Sequence, residues 1–239
     1  MLIQQQQEWQ DILSSVREMS QAYNGGMVVI GGVAVWLHSQ KMADVNLLQA
    51  SHDAAFYLSL QDFGTLRSVE EVTANKRLGK YQIIKNGVDF DVYVERNTDL
   101  IVPFDAIMAA SEIIQDIPCA SLGHLLTLKT HAYSDRRFSA KGEKDARDII
   151  KILLLFNENK MVSARSLSFF LEEEWLLVEK VTQQQKLFLD IANGNAYTAK
   201  EYRKKALQGL EYAYKAKNAG MDTCTNGNQG GYLYKGPKT

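Results

Sequence analysis

Two glycines and four oxygen-bearing side chains are spaced as phosphate or metal chemistry would need them. Gly31-Gly32 follows the β-branched run Met27 to Ile30 and precedes Val33 to His38, which reads as the opening of a helix. A strand, a turn free of Cβ atoms and a helix N-terminus together make a place where backbone N–H groups face an anion. Downstream, Ala43 to Leu48 alternates as ADVNLL, so a strand there would project Asp44 and Asn46 from one face. Two oxygen donors two residues apart suit one hard divalent cation. A second acidic pair, Asp89 and Asp91, lies within Tyr81 to Glu95, where Asn86-Gly87 divides two alternating runs in the manner of a hairpin.

Periodicity indicates the elements that must hold these residues. Trp9, Ile12, Leu13, Val16 and Met19 recur at helical spacing before the glycine turn and predict a core-packing helix. His52 to Leu60 reads as a helix, Phe63 to Val72 as a polar connector, and Asn97 to Phe104 as a loop in which Pro103 forbids a central strand. Asp105 to Ile114 is a helix candidate capped by its acidic first residue. Near Ile117-Pro118 strand-like segments give way to long helical ones. Leu122 to Ala132 and Ile149 to Leu153 carry the apolar residues of two helices, with Gly142 in the polar gap between them. Asp145 and Asp148 share a face of the second helix, beside Lys144 and Arg147, which suits a salt-bridged surface.

Val162 to Glu179, Val181 to Ile191 and Ala199 to Lys217 read as three more helices. The last sets Lys200, Arg203, Lys204, Lys205, Lys215 and Lys217 beside Tyr202, Tyr212 and Tyr214. Such a helix suits either a solvated face or an RNA backbone. The chain is thus expected to be α/β (α+β), with a mixed sheet flanked by helices in Met1 to Pro118. An all-helical region would span Cys119 to Lys217, and a Gly-, Asn- and Thr-rich flexible tail Asn218 to Thr239.

Composition narrows the class. The chain has 239 residues, 46% of them hydrophobic, and a net charge of −1, which suits a protein with a real core and does not mark a general polyanion binder. Cys119 and Cys224 are far apart, and the four histidines, His38, His52, His124 and His131, show no metal-ligand spacing. With no leader or long apolar run in the sequence, a cytoplasmic protein without membrane association is expected.

The glycine turn followed by an Asp-x-Asn segment and an acidic hairpin strand resembles the nucleotidyltransferase superfamily, whose fold is that of DNA polymerase beta. Leu125-Leu126-Thr127-Leu128-Lys129, then Arg136, then Lys144-Asp145-Ala146-Arg147-Asp148-Ile149 is similar in order to the abortive-infection nucleotidyltransferase toxins. The resemblance runs from Gly25 to Leu155 and rests on the order of motifs. It implies transfer of a nucleoside monophosphate from a nucleoside triphosphate to an RNA (tRNA) or protein hydroxyl, with Mg2+ or Mn2+, and a possible cognate antitoxin. Asp44, Asn46 and Asp91 would then be the metal and catalytic residues, with Asp89 as an extra carboxylate. Gly31, Gly32, Lys41 and Lys129 would hold the triphosphate. Two departures matter. Asn46 stands where an Asp is usual, and Gln40-Lys41-Met42 stands where Arg-x-Thr is usual. The alternative is a binding protein that keeps the fold and has lost turnover.

Overall fold

The computed structural model describes residues 2–225 apart from 24, 43, 49–52, 99 and 161. Helix α1 (Leu2–Ala22) leads into strand β1 (Met27–Ile30) and then directly into helix α2 (Gly31–Ser39). A 3-10 turn (Val45–Leu47) follows, and then β2 (Asp53–Leu58), α3 (Leu60–Val69), β3 (Thr73–Asn75), β4 (Lys80–Lys85) and β5 (Val88–Val94). Next come α4 (Phe104–Ala109), β6 (Glu112–Ile114) and β7 (Ile117–Cys119). The rest of the described chain is helical: α5 (Leu122–Arg136), α6 (Ala140–Asn159), α7 (Glu172–Thr182), α8 (Gln185–Ile191) and α9 (Ala196–Thr225).

The seven strands form one mixed sheet in the order β3-β4-β5-β2-β1-β7-β6. Pairing is antiparallel except between β2 and β5 and between β1 and β7. β1 has a strand on each side and all four of its residues are buried, which is why it reads as an unbroken apolar run. The β4–β5 hairpin turns at Asn86-Gly87 as expected, and both turn residues have positive φ, 53° and 76°. That geometry matches the right-handed twist of the flanking strands. Its register follows: Lys85 faces Val88, and Gln82 faces Asp91.

α1 keeps its expected apolar stripe, with Trp9, Ile12, Leu13, Val16 and Met19 all buried, and Trp9 meets Trp36 of α2 edge-on at 4.6 Å between ring centroids. α2 is buried from Val33 to Ser39 and lies against β1, β2, α5 and α6. One buried apolar cluster runs through the sheet and the C-terminal helices.

Several expectations are corrected. Asp44 and Asn46 do not lie on a strand, since Val45–Leu47 is a 3-10 turn. The strand is Asp53–Leu58, inside the segment read as a helix; His52 is outside the described residues. The Ala-Ala pair gives this segment a helical look, but β1 and β5 pair with both its edges, and tertiary pairing overrides so weak a preference. The supposed connector is α3, capped by Ser59, whose hydroxyl accepts from the Asp62 N–H at 3.0 Å, and Phe63 and Leu66 are its buried residues.

Asp105 lies in the first turn of a six-residue helix whose N-cap is Pro103, and Glu112–Ile114 is a strand. That strand reaches β7 through Gln115 and Asp116, both at positive φ without a glycine to announce the turn. The boundary drawn between Pro118 and Cys119 falls inside β7. Gly142 is in the first turn of α6, where Ser139 caps its N–H at 3.1 Å. The segment from Val162 opens with a 3-10 turn, Ala164–Leu167, before α7 begins at Glu172. α9 continues to Thr225, and 226–239 lie outside the described residues.

Candidate active site

A cleft opens where α2 begins. Gly31 and Gly32 form one wall, Ala55 of β2 with Asp91 and Tyr93 of β5 the floor, and α5 and α6 the opposite wall through Lys129, Arg136, Lys141, Lys144 and Asp145. Gly31 has φ +74°, and a Cβ there would come within 3.3 Å of the Ala55 Cβ, so glycine is needed for both backbone conformation and space. The first turn of α2 thereby leaves backbone N–H groups at the cleft, with the positive end of the helix dipole behind them.

Of β5, Asp91 and Tyr93 line this cleft, and Asp89 does not. Val88, Phe90, Val92 and Val94 are buried in the core, while Asp89, Asp91 and Tyr93 share the other face. In the parallel pairing with β2, Asp91 stands beside Ala55 and Asp89 beside Asp53. Both oxygens of Asp91 are occupied. Lys80 of β4 donates to Oδ2, and the Gln82 amide donates to Oδ1 at 3.3 Å. Burial, reinforced by the Asp91 carboxylate, raises the Tyr93 phenol above its usual pKa.

On the helical wall the Lys-Arg-Lys-Asp motif becomes one network. Lys129 Nζ lies 2.7 Å from Asp148 Oδ2 and 3.2 Å from Asp145 Oδ1, and Arg136 Nε lies 2.7 Å from Asp145 Oδ2. Burial alone would depress the Lys129 ammonium, but Asp148 and Asp145 outweigh it and raise its pKa to about 12. Lys129 therefore sits in the cleft wall chiefly as the ion that joins α5 to α6. Asp145 and Asp148 do form the expected salt-bridged face, but it points inward, at 1% and 5% exposure.

Other expected site residues are not brought here. Lys41 lies beyond the C-terminal end of α2 and pairs with Glu112 at 3.1 Å. A nine-residue helix is about 13 Å long, so the two ends of α2 cannot serve one phosphate. Asp44 and Asn46 follow that far end and are not among the cleft's lining residues. They meet the helical region instead. The Tyr202 hydroxyl donates to Asp44, the Asn46 amide donates to Tyr202 Oη at 3.1 Å, and Asn193 donates to Asn46 Oδ1 at 2.7 Å.

Lys80, Gln82 and Lys141 are not singled out by the sequence, and Lys144 reads there only as part of the motif and salt-bridged face around Asp145. For the first two a signal existed. A two-residue turn at Asn86-Gly87 sets Gln82 opposite Asp91 and puts Lys80 on the same strand face, one position diagonal to it.

Among the described residues no three His, Cys, Asp or Glu side chains gather as a metal-binding group. Asp91 already serves Lys80 and Gln82, Asp145 serves Lys129 and Arg136, and Ala55 offers no oxygen beside Asp91. The described donors do not fit the expected Mg2+ or Mn2+ centre. No described helix is long and apolar enough to cross a membrane.

No family model and no curated protein matches the sequence. Solved structures do resemble it. JHP933 from Helicobacter pylori aligns with a TM-score of 0.50 at 13% identity, over 93% of this chain and 98% of that one. An antigenic nucleotidyltransferase-like protein from Paracoccidioides brasiliensis aligns with a TM-score of 0.44 at 18% identity, over 75% of this chain and 91% of that one. At such identities the likeness concerns the fold alone: the mixed α/β architecture, a seven-stranded mixed sheet followed by C-terminal helices, is what aligns with JHP933.

Proposed function

We propose that the protein binds a nucleoside triphosphate by its phosphates in the cleft at the start of α2. The observation that carries this reading is the pairing of the Gly31-Gly32 helix start with four cationic side chains against two carboxylates in one lining. Backbone N–H groups at a helix N-terminus suit phosphate oxygens, and Lys and Arg supply charge-assisted hydrogen bonds. The cavity measures about 150 Å3, half of the ~300 Å3 at which small-molecule sites begin. It encloses a phosphate tail and leaves the nucleoside toward solvent. Lys141 and Lys144, on the first turns of α6, would meet the outer phosphates, while Arg136 is held in place by Asp145. Titration calorimetry with each of the four ribonucleoside triphosphates tests this. Lys141→Ala and Lys144→Ala should each weaken binding on the order of tenfold, the worth of one charged hydrogen bond. No heat with any of the four would overturn the reading.

A second reading, nucleotidyl transfer to an RNA or protein hydroxyl, is favoured by the register that sets Asp53 beside Asp89 on the strands flooring the cleft. Incubating the protein with α-labelled nucleotide, cellular RNA and protein separates the two. Label in a macromolecule supports transfer, and binding without label supports a nucleotide-binding protein of this fold.

A further inference from the structure

The cation at the cleft floor comes from the chain itself. Lys80 opens β4 after Gly79, is only 7% exposed, and donates to Asp91, whose other oxygen takes the Gln82 amide. Its side chain and that of Asp91 are both largely sealed from solvent, at 6% and 16% exposure, unlike the half-exposed Lys41–Glu112 pair on the surface. A buried ion pair of this kind is costly to open, because either partner left alone is a desolvated charge. A divalent cation approaching Asp91 would have to displace Lys80, and Ala55 in the adjacent register position gives it no second oxygen. The remaining acid in the lining, Asp145, is likewise held by Lys129 and Arg136. Every carboxylate of the described cleft is thus already neutralised by protein, and Lys141 has no ion pair among the described residues.

We propose that Lys80 is the resident cation of the cleft, holding Asp91 in place of a divalent metal, so that the site binds a triphosphate without Mg2+. This inference rests on the nucleotide-binding reading and deepens it. Asp91 and Lys80 are positioning residues in this scheme, and neither touches the phosphates. Together they keep the acidic floor from repelling an anion that the α2 N-terminus and the α6 lysines attract.

The test is calorimetric titration with ATP and with inorganic triphosphate, in EDTA and in excess Mg2+, on the wild type and on Lys80→Met and Lys80→Arg. The wild type should bind in EDTA within about threefold of its affinity in Mg2+. Lys80→Met should bind at least tenfold more weakly in EDTA, with affinity regained in Mg2+ because Asp91 is freed for the metal, while Lys80→Arg stays close to wild type. The ratio of the wild type's affinities in EDTA and in Mg2+ decides the matter even where Lys80→Met does not fold. Wild-type binding seen only with Mg2+, or Lys80→Met indistinguishable from wild type in EDTA, would each overturn the inference and leave the nucleotide-binding reading standing. No binding in either condition would overturn that reading itself.

Discussion

His124 shows how one residue's surroundings set the pH response of the fold. It lies on α5 at 1% exposure, its Nδ1 has no hydrogen-bond partner among the described residues, and burial alone lowers its pKa from 6.5 to about 4. The folded value lies below the unfolded one, so the fold favours the neutral ring. That contribution is fully present above pH 6.5 and is lost as pH falls from 6.5 toward 4, by about 3 kcal/mol in all. Urea unfolding at pH 7.0, 5.5 and 4.5 should show the decline, and His124→Leu should flatten it. An unchanged slope in that variant would show that other groups, such as the buried His38, set the acid response. The same scale separates Lys129 from an ordinary surface lysine. Removing one member of a buried ion cluster costs about 3 to 5 kcal/mol, against less than 1 for an exposed pair.

At the scale of elements, the helical wall depends on how closely its backbones approach. α6 and α9 cross at Gly209, where an added Cβ would lie 1.9 Å from the carbonyl oxygen of Leu153. The neighbour is backbone in the middle of a helix and has no rotamer to yield, so the two helices would have to separate. Gly209→Ala is expected to lower stability by about 3 kcal/mol or more, despite alanine's better helix propensity. Thermal unfolding measures this, and a stabilised variant would contradict the packing described. One cation of α9 is spent inside the fold and another in a surface pair. Lys217 is 8% exposed and donates to the carbonyls of Leu167, Ser168 and Phe170, and Lys215 pairs with Glu211 one turn away. Lys217 thus caps a turn with all three of its N–H donors and has none left for an RNA backbone.

Across the whole molecule, the segment that leaves α2 is tied to the far helices by one small group of polar side chains. Tyr202 of α9 bridges Asp44 and Asn46, and burial together with the Asp44 carboxylate raises its phenol to about 12. Residues 44–48 lead toward β2, the strand that carries Ala55 to the cleft, so this contact fastens the connection between sheet and helices. Tyr202→Phe should cost about 1.5 to 3 kcal/mol, the range for a hydrogen bond to a charged group. Faster amide exchange should be confined to residues 44–48 and the α8–α9 turn, with that in β4 and β5 unchanged. Uniform exchange gains across the sheet would mean that the contact has no local role.

Some of this was legible without coordinates because it depends on local chemistry. Asn86-Gly87 has the two positive-φ residues of a tight turn, and with them the register that aligns Gln82 with Asp91. The stripe from Trp9 to Met19 marked α1, and Gly31-Gly32 marked the strand-to-helix turn at the cleft. What the chain could not declare by itself was which acids share that cleft. Asp44 and Asn46 alternate like a strand, yet they sit beyond the far end of α2, and the strand that pairs with β1 begins only at Asp53. Asp53–Leu58 is a strand because β1 and β5 satisfy its backbone on both edges, and those partners are long-range. Lys129 looked free to meet a phosphate until α5 and α6 packed and brought Asp145 and Asp148 against it. Turn conformation and helical periodicity are properties of neighbouring residues, whereas strand pairing and ion pairing are settled only when distant segments bury one another's polar groups.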